Sequence, residues 1–170
     1  MRIVRPSQDP VGITRSLQAR TELSKLDKYK QNIADAKAWL TQTETALMEI
    51  NSIITRAYEL AVDAANSTKT PEDREAISKE IAQLKAQLIE AVNTAYADRY
   101  VFGGYNTVEK PFEVKVEGGE EILYYNRERI YNITSNVWYE DAELDQSKIE
   151  YEVAPGTKMV VSISGKDVIG

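Results

Sequence analysis

Residues 26–64 read LDKYKQNIADAKAWLTQTETALMEINSIITRAYELAVDA. Leu26, Ile33, Leu40, Leu47, Ile54 and Ala61 fall seven apart without exception, and Tyr29, Ala36, Thr43, Ile50, Ala57 and Ala64 follow them three residues on. Alternating steps of three and four keep both rows on one side of an α-helix, so the stretch is an a/d heptad seam. Trp39, Ile53 and Leu60 widen it on one flank. A strict seven-residue repeat implies left-handed supercoiling against other helices.

Working outward, the helix extends in both directions. Ser7-Gln8-Asp9-Pro10 is a start signal: Asp9 can accept the first exposed amides, and Pro10 suits the first helical position because it has no N–H to leave unpaired. No proline interrupts the chain until Pro71, and Asn66-Ser67-Thr68-Lys69 breaks the pattern. The first helix is expected over about residues 10–65. Thr70-Pro71-Glu72-Asp73 restarts it, with Thr70 as N-cap, Pro71 after it and acidic groups at the positive end of the dipole. Ile77, Ile81, Leu84, Leu88, Ala91 and Ala95 again alternate steps of four and three. That pattern predicts a second amphipathic helix over about 71–101, antiparallel to the first because the connection is short.

The two helices are unequal. At about 1.5 Å per residue they span roughly 84 Å and 46 Å. The second therefore reaches only the distal half of the first, near Leu40 to Ala61. The seam from Ile13 and Leu17 through Leu26 and Ile33 is expected to lack helical cover, and an exposed apolar stripe of that size calls for a partner. The helix-packing and assembly seam is accordingly assigned to Leu26, Ile33, Leu40, Leu47, Ile54, Ile77, Ile81, Leu84 and Leu88.

Near residue 102 the composition changes. One glycine precedes it and seven follow; residues 1–100 are charge-neutral, and the whole net charge of −6 lies in residues 101–170. Phe112, Val114 and Val116 alternate, Glu117-Gly118-Gly119-Glu120 turns, and Ile122, Tyr124 and Asn126 return. Ile130 to Tyr139 reads as one further strand. Ile149, Tyr151 and Val153, the turn Pro155-Gly156, then Met159, Val161 and Ile163 make a second hairpin. The expected fold is α+β: a rod-like helical domain, residues 1–104, built as a long antiparallel hairpin of coiled-coil type, then a small β-rich domain, 105–170, holding one sheet with a solvated face.

Absences narrow the chemistry. The 170 residues include no Cys and no His, which removes thiolate nucleophiles, Cys/His zinc sites and the Ser–His–Asp triad. The acidic balance suits neither a nucleic-acid backbone nor an anionic membrane, no apolar run is long enough for a membrane span, and no signal peptide opens the chain. Asp141, Glu143, Asp145 and Glu152 fall at positions 1, 3, 5 and 12 of a calcium loop, but Gln146 replaces the glycine its turn needs, so a solvated acidic loop is the better reading. Gly103-Gly104 follows a helix and lacks Gly-Lys-Ser/Thr, which makes it a helix stop and not a phosphate cradle. Asn132-Ile133-Thr134 matches a glycosylation acceptor only in form. Adjacent Glu120 and Glu121 point to opposite faces of a strand and form no acid/base pair. Alternating strand tyrosines are read as packing before sugar stacking. No catalytic constellation or cofactor site emerges.

Three motifs carry a family resemblance: Arg5-Pro6-Ser7-Gln8-Asp9-Pro10, Asn32-Ile33-Ala34-Asp35-Ala36, and Arg99-Tyr100-Val101-Phe102-Gly103-Gly104 with Pro111-Phe112. In order and spacing over residues 2–112 they resemble the bacterial flagellar hook–filament junction family, the third hook-associated proteins, which are relatives of flagellin. Gln8 departs from the acidic residue usual there. The resemblance implies a non-enzymatic structural adaptor, extracellular in the flagellum, exported unfolded through the flagellar channel. It also implies the first hook-associated protein and flagellin as partners, self-association in a ring, and an export chaperone. It implies further segments at both termini, among them long helices that return onto the first one. A flagellin-like filament subunit is the first rival reading. A secreted carbohydrate- or calcium-binding module, using Tyr124 or Asp141, is the second.

Overall fold

The computed structural model describes residues 10–139, 148–163 and 167. Helix α1 runs unbroken from Pro10 to Ala64 and α2 from Pro71 to Ala91. Their 55 and 21 residues correspond to roughly 80 Å and 30 Å of rod. Thr70 and Asp73 close a reciprocal capping box at the start of α2: the Asp73 amide donates to Thr70 Oγ1 at 3.1 Å and the Thr70 amide to Asp73 Oδ2 at 3.0 Å. The Asp9 cap expected for α1 lies outside the described residues.

Helix α2 ends ten residues earlier than its periodicity suggested. After the C-cap Val92, strands β1 (Ala95–Tyr96) and β2 (Arg99–Tyr100) form a small hairpin. Ala97 and Asp98 turn it at φ 48° and 60°. The cause is Asn93, whose buried side chain turns back to Ile89 O at 2.7 Å and onward to the backbone of Phe112. An Asn bonded to a remote strand competes with the next helical turn. Gly103-Gly104 thus follows a hairpin and is not the helix stop.

The single sheet expected over residues 105–170 is two sheets. Strands β3 (Phe112–Glu117), β4 (Glu120–Tyr125), β5 (Glu128–Asn132) and β6 (Val137–Trp138) form an antiparallel meander, while β7 (Glu150–Ala154) and β8 (Thr157–Val160) pair separately. Gly118 and Gly119 make the β3–β4 turn at positive φ, as read from the sequence. Asn126, assigned there to the return strand, is in the next turn with Arg127, both at positive φ. The single strand expected over Ile130–Tyr139 is split by a turn, because Asn132 Oδ1 accepts from the Thr134 and Ser135 amides at 3.1 and 3.0 Å.

One apolar core joins all of this. Ala36, Trp39, Ala46, Ile50 and Ile53 of α1 pack with Val101, Phe102, Phe112, Tyr125, Ile130 and Val161. The FGG-PF motif is the corner between rod and sheet. Tyr125 Oη donates to Phe102 O at 3.2 Å, Asn126 Nδ2 donates to Gly103 O at 3.2 Å, and the Phe112 and Tyr125 rings lie 5.0 Å apart.

Candidate assembly face

Helix α1 presents two apolar rows, and α2 takes only one of them. Ala36, Trp39, Thr43, Ala46, Ile50, Ile53 and Leu60 are buried. These belong to the second heptad row and its widened flank; Leu84 and Leu88 of α2 pack half-buried against the core they form, Ile77 is buried, and Trp39 meets the Tyr96 ring of β1 edge-on at 6.4 Å. Arg56 donates across the hairpin to Glu80 Oε1 at 2.8 Å and 3.0 Å, and Lys69 pairs with Asp63 at 2.7 Å. Both pairs are largely solvated and set alignment more than stability.

The first row stays out. Leu26 is 60% exposed, Ile33 47%, Leu40 39%, Leu47 37% and Ile54 52%. Helix α2 lies along the distal half of α1 as expected, but over the neighbouring row: Leu40, Leu47 and Ile54 of the seven-residue row stay partly exposed, with Ile163 beside Leu40 and Leu47. The reason is the flank: the buried Trp39, Ile53 and Leu60 make this the broader apolar face of α1, which turns inward toward the rest of the chain and leaves the narrower row outside.

The proximal half of α1 is not wholly uncovered. The β7–β8 hairpin lies against it, with Asn32 Nδ2 donating to Glu152 O at 2.7 Å and Tyr29 Oη to Glu152 Oε1 at 3.5 Å. Desolvation first, and then the Glu152 carboxylate, push the Tyr29 phenol above its ordinary pKa. The hairpin takes the Tyr29–Ala36 side and leaves Leu26 and Ile33 in solvent; residues 14–28 are all exposed. Distally, a groove of about 400 Å³ runs beside the bare row, lined by Leu40, Thr43, Leu47, Met48 and Ile163.

The remaining sequence candidates sort cleanly. Arg5, Pro6, Ser7 and Asp9 of the family motif, and Asp141, Glu143 and Asp145 of the calcium template, lie outside the described residues. Pro10 opens α1, Arg99 and Tyr100 form β2, and Phe102, Gly103, Gly104, Pro111 and Phe112 are buried at the corner. Glu152 is engaged by α1 and by the Gly156 amide, and among the described residues no group of three or more acidic side chains converges on a metal position. Tyr124 is buried, with Lys115 Nζ 4.8 Å above its ring and Arg129 Nε donating to its hydroxyl at 2.9 Å, so it packs within the sheet. Asn132 is buried and bonded to Glu120 Oε2 at 2.7 Å, so it serves the fold. No described helix is long and apolar enough to cross a membrane.

Residues 1–107 match the bacterial flagellin N-terminal helical region. The chain belongs to that family. Flagellar hook-associated protein 3 of Escherichia coli (strain K12) is 30% identical over 126 residues, covering 72% of this chain and 40% of the relative. A flagellin of Clostridium tyrobutyricum is 34% identical over 94 residues, 55% of this chain and 25% of that one. Among solved structures, the crystal structure of Xanthomonas campestris FlgL superposes with a TM-score of 0.67 at 26% identity, over 86% of this chain and 41% of that chain. The chain thus spans about half the length, or less, of the relatives it matches. Its α+β organisation, a long helix and a shorter one followed by small antiparallel sheets, is that of the solved FlgL structures.

Proposed function

We propose that this chain is part of a structural adaptor of the bacterial flagellum, joining the hook-associated ring to the flagellin filament. One observation carries the reading. The solved FlgL structure superposes over 86% of the chain at 26% identity with a TM-score of 0.67, and so takes in sheet as well as rod. The exposed heptad row supports it physically: an apolar row on a long rigid helix is a surface built to be covered by another helix. The covering elements are helices of the assembled flagellum or of the protein's own continuation, the partners being the first hook-associated protein below, flagellin above, and copies of the protein around a ring. An export chaperone would shield the row before export. The role is mechanical and not catalytic, and its place is outside the cell in the flagellum.

The test is genetic and visual. Bacteria lacking this protein should carry hooks without filaments and release flagellin into the medium, and restoring the gene should restore filaments. Hooks that still grow filaments would overturn the adaptor reading. Filaments polymerised by the purified full-length protein alone would favour a filament subunit.

A further inference from the structure

The chain holds no cysteine, so its sulfur chemistry rests on three methionines, Met1, Met48 and Met159. Met1 lies outside the described residues. Met159 is half-buried on β8 and packs against the apolar core. Met48, in the distal half of α1, is 60% exposed. It lines the groove of about 400 Å³ together with Leu40, Leu47 and Ile163. The polar side chains of that groove are Thr43, Glu44 and Asn51. The Thr43 hydroxyl already donates to Trp39 O at 2.9 Å, and an ionised Glu44 can only accept. The Asn51 amide is the one donor left to the groove.

We infer that Met48 is a modification site: peroxide oxidises its thioether to the sulfoxide while α1 is uncovered, and the change weakens docking on this face. The inference rests on the adaptor reading, which puts covering helices there, and adds a chemical control on that docking. In the step an S–O bond forms as the O–O bond of the peroxide breaks; sulfur is oxidised, the peroxide is reduced, and water leaves with both protons. A flexible apolar side chain thereby becomes polar and gains a strong acceptor. In the free chain water solvates the new oxygen. A covering helix expels that water, and one unmatched acceptor weakens docking about tenfold. Once the helix is seated the sulfur is shielded, so the oxidant acts before assembly and not after it.

Dilute hydrogen peroxide on the folded 170-residue chain, followed by peptide mass mapping, reads the site directly. Met48 should gain oxygen about tenfold faster than Met159; equal rates overturn the proposal. In bacteria, Met48→Gln stands in for the sulfoxide by placing a carbonyl oxygen on the face, and Met48→Leu keeps the apolar surface without the sulfur. Both replacements are good helix formers at an exposed position, and circular dichroism of each variant checks the fold. Cells with Met48→Gln should carry several-fold fewer filaments, and cells with Met48→Leu should match the wild type. Normal filaments with Met48→Gln, in a strain whose deletion abolishes them, overturn this proposal and leave the adaptor reading standing. Filaments in the deletion strain overturn both.

Discussion

Asn93 grips both sides of the Phe112 backbone: its Nδ2 donates to Phe112 O at 2.8 Å and its Oδ1 accepts from Phe112 N at 3.0 Å. The same side chain donates to Ile89 O at 2.7 Å. One residue therefore ends α2, starts the sheet and fixes the distance between them.

Asn93→Ala is accordingly expected to cost about 2–3 kcal/mol, because buried backbone groups of Phe112 lose their partners with no water to replace them. Asn93→Asp keeps an acceptor for the Phe112 amide but has no donor for its carbonyl, and should fall between the two. Urea denaturation with an unchanged slope and a lowered midpoint is the measurement. Wild-type stability for Asn93→Ala would mean that the sheet is held without this joint.

The assignment of inner and outer rows on α1 makes a paired prediction. Ile53 is buried and Leu47, six residues earlier, is 37% exposed. Ile53→Ala should cost about 2–4 kcal/mol through lost burial and the cavity left behind. Leu47→Ala should stay within about 0.5 kcal/mol. Equal losses at the two sites would show that the outer row is covered in the free chain.

These two sites also show what the sequence carried. The heptad spacing of Leu26, Ile33, Leu40, Leu47 and Ile54 located a long helix, because periodicity is local and recurs, and Pro10 and Asn66 marked its ends. It did not reveal which apolar row faces α2. Trp39, Ile53 and Leu60 decided that, and weighing a flank against a seam depends on the shape of the neighbour. The same limit explains the overextended α2: Ala91 and Ala95 keep helical spacing, but Asn93 bonds to Phe112, 19 residues away, and no local pattern encodes that. The Gly118-Gly119 turn was legible because positive φ leaves few choices of residue. The division of residues 105–170 into two sheets was not, since strand pairing depends on contacts distant in the chain.

The capping box at α2 gives a pH prediction. The Thr70 backbone N–H first, and then its side chain, hold the Asp73 carboxyl below its ordinary pKa. A carboxyl depressed in the folded state contributes stability above its unfolded pKa, and that contribution is lost as pH falls through the folded value. Acid titration below about pH 4 should therefore fray the first turn of α2 before the rest of the rod. Asp73→Asn should remove that part of the pH dependence. The measurement is the pH profile of amide exchange at Asp73 and Arg74, and a flat profile in the wild type would count against the cap.

Gly103 offers the sharpest test of the corner motif, because two glycines differ there in kind. A Cβ on Gly103 would sit 2.2 Å from Asn106 O, a backbone atom that cannot swing aside. That oxygen belongs to a short loop pinned by the bond from the Tyr100 amide to Thr107 O at 2.8 Å. Gly103→Ala should cost about 1–3 kcal/mol, as overpacked sites do, and lower Tm by roughly 5 °C. Gly118 is the control: its φ is +62° with nothing within 4 Å of a Cβ. Asn adopts that backbone conformation readily, so Gly118→Asn should shift stability by less than about 0.5 kcal/mol. Thermal melts of Gly103→Asn and Gly118→Asn side by side separate the two reasons for glycine, steric contact at the corner and backbone sign at the turn. If Gly103→Asn melts as the wild type does, the loop can move and the corner is not the rigid joint between rod and sheet.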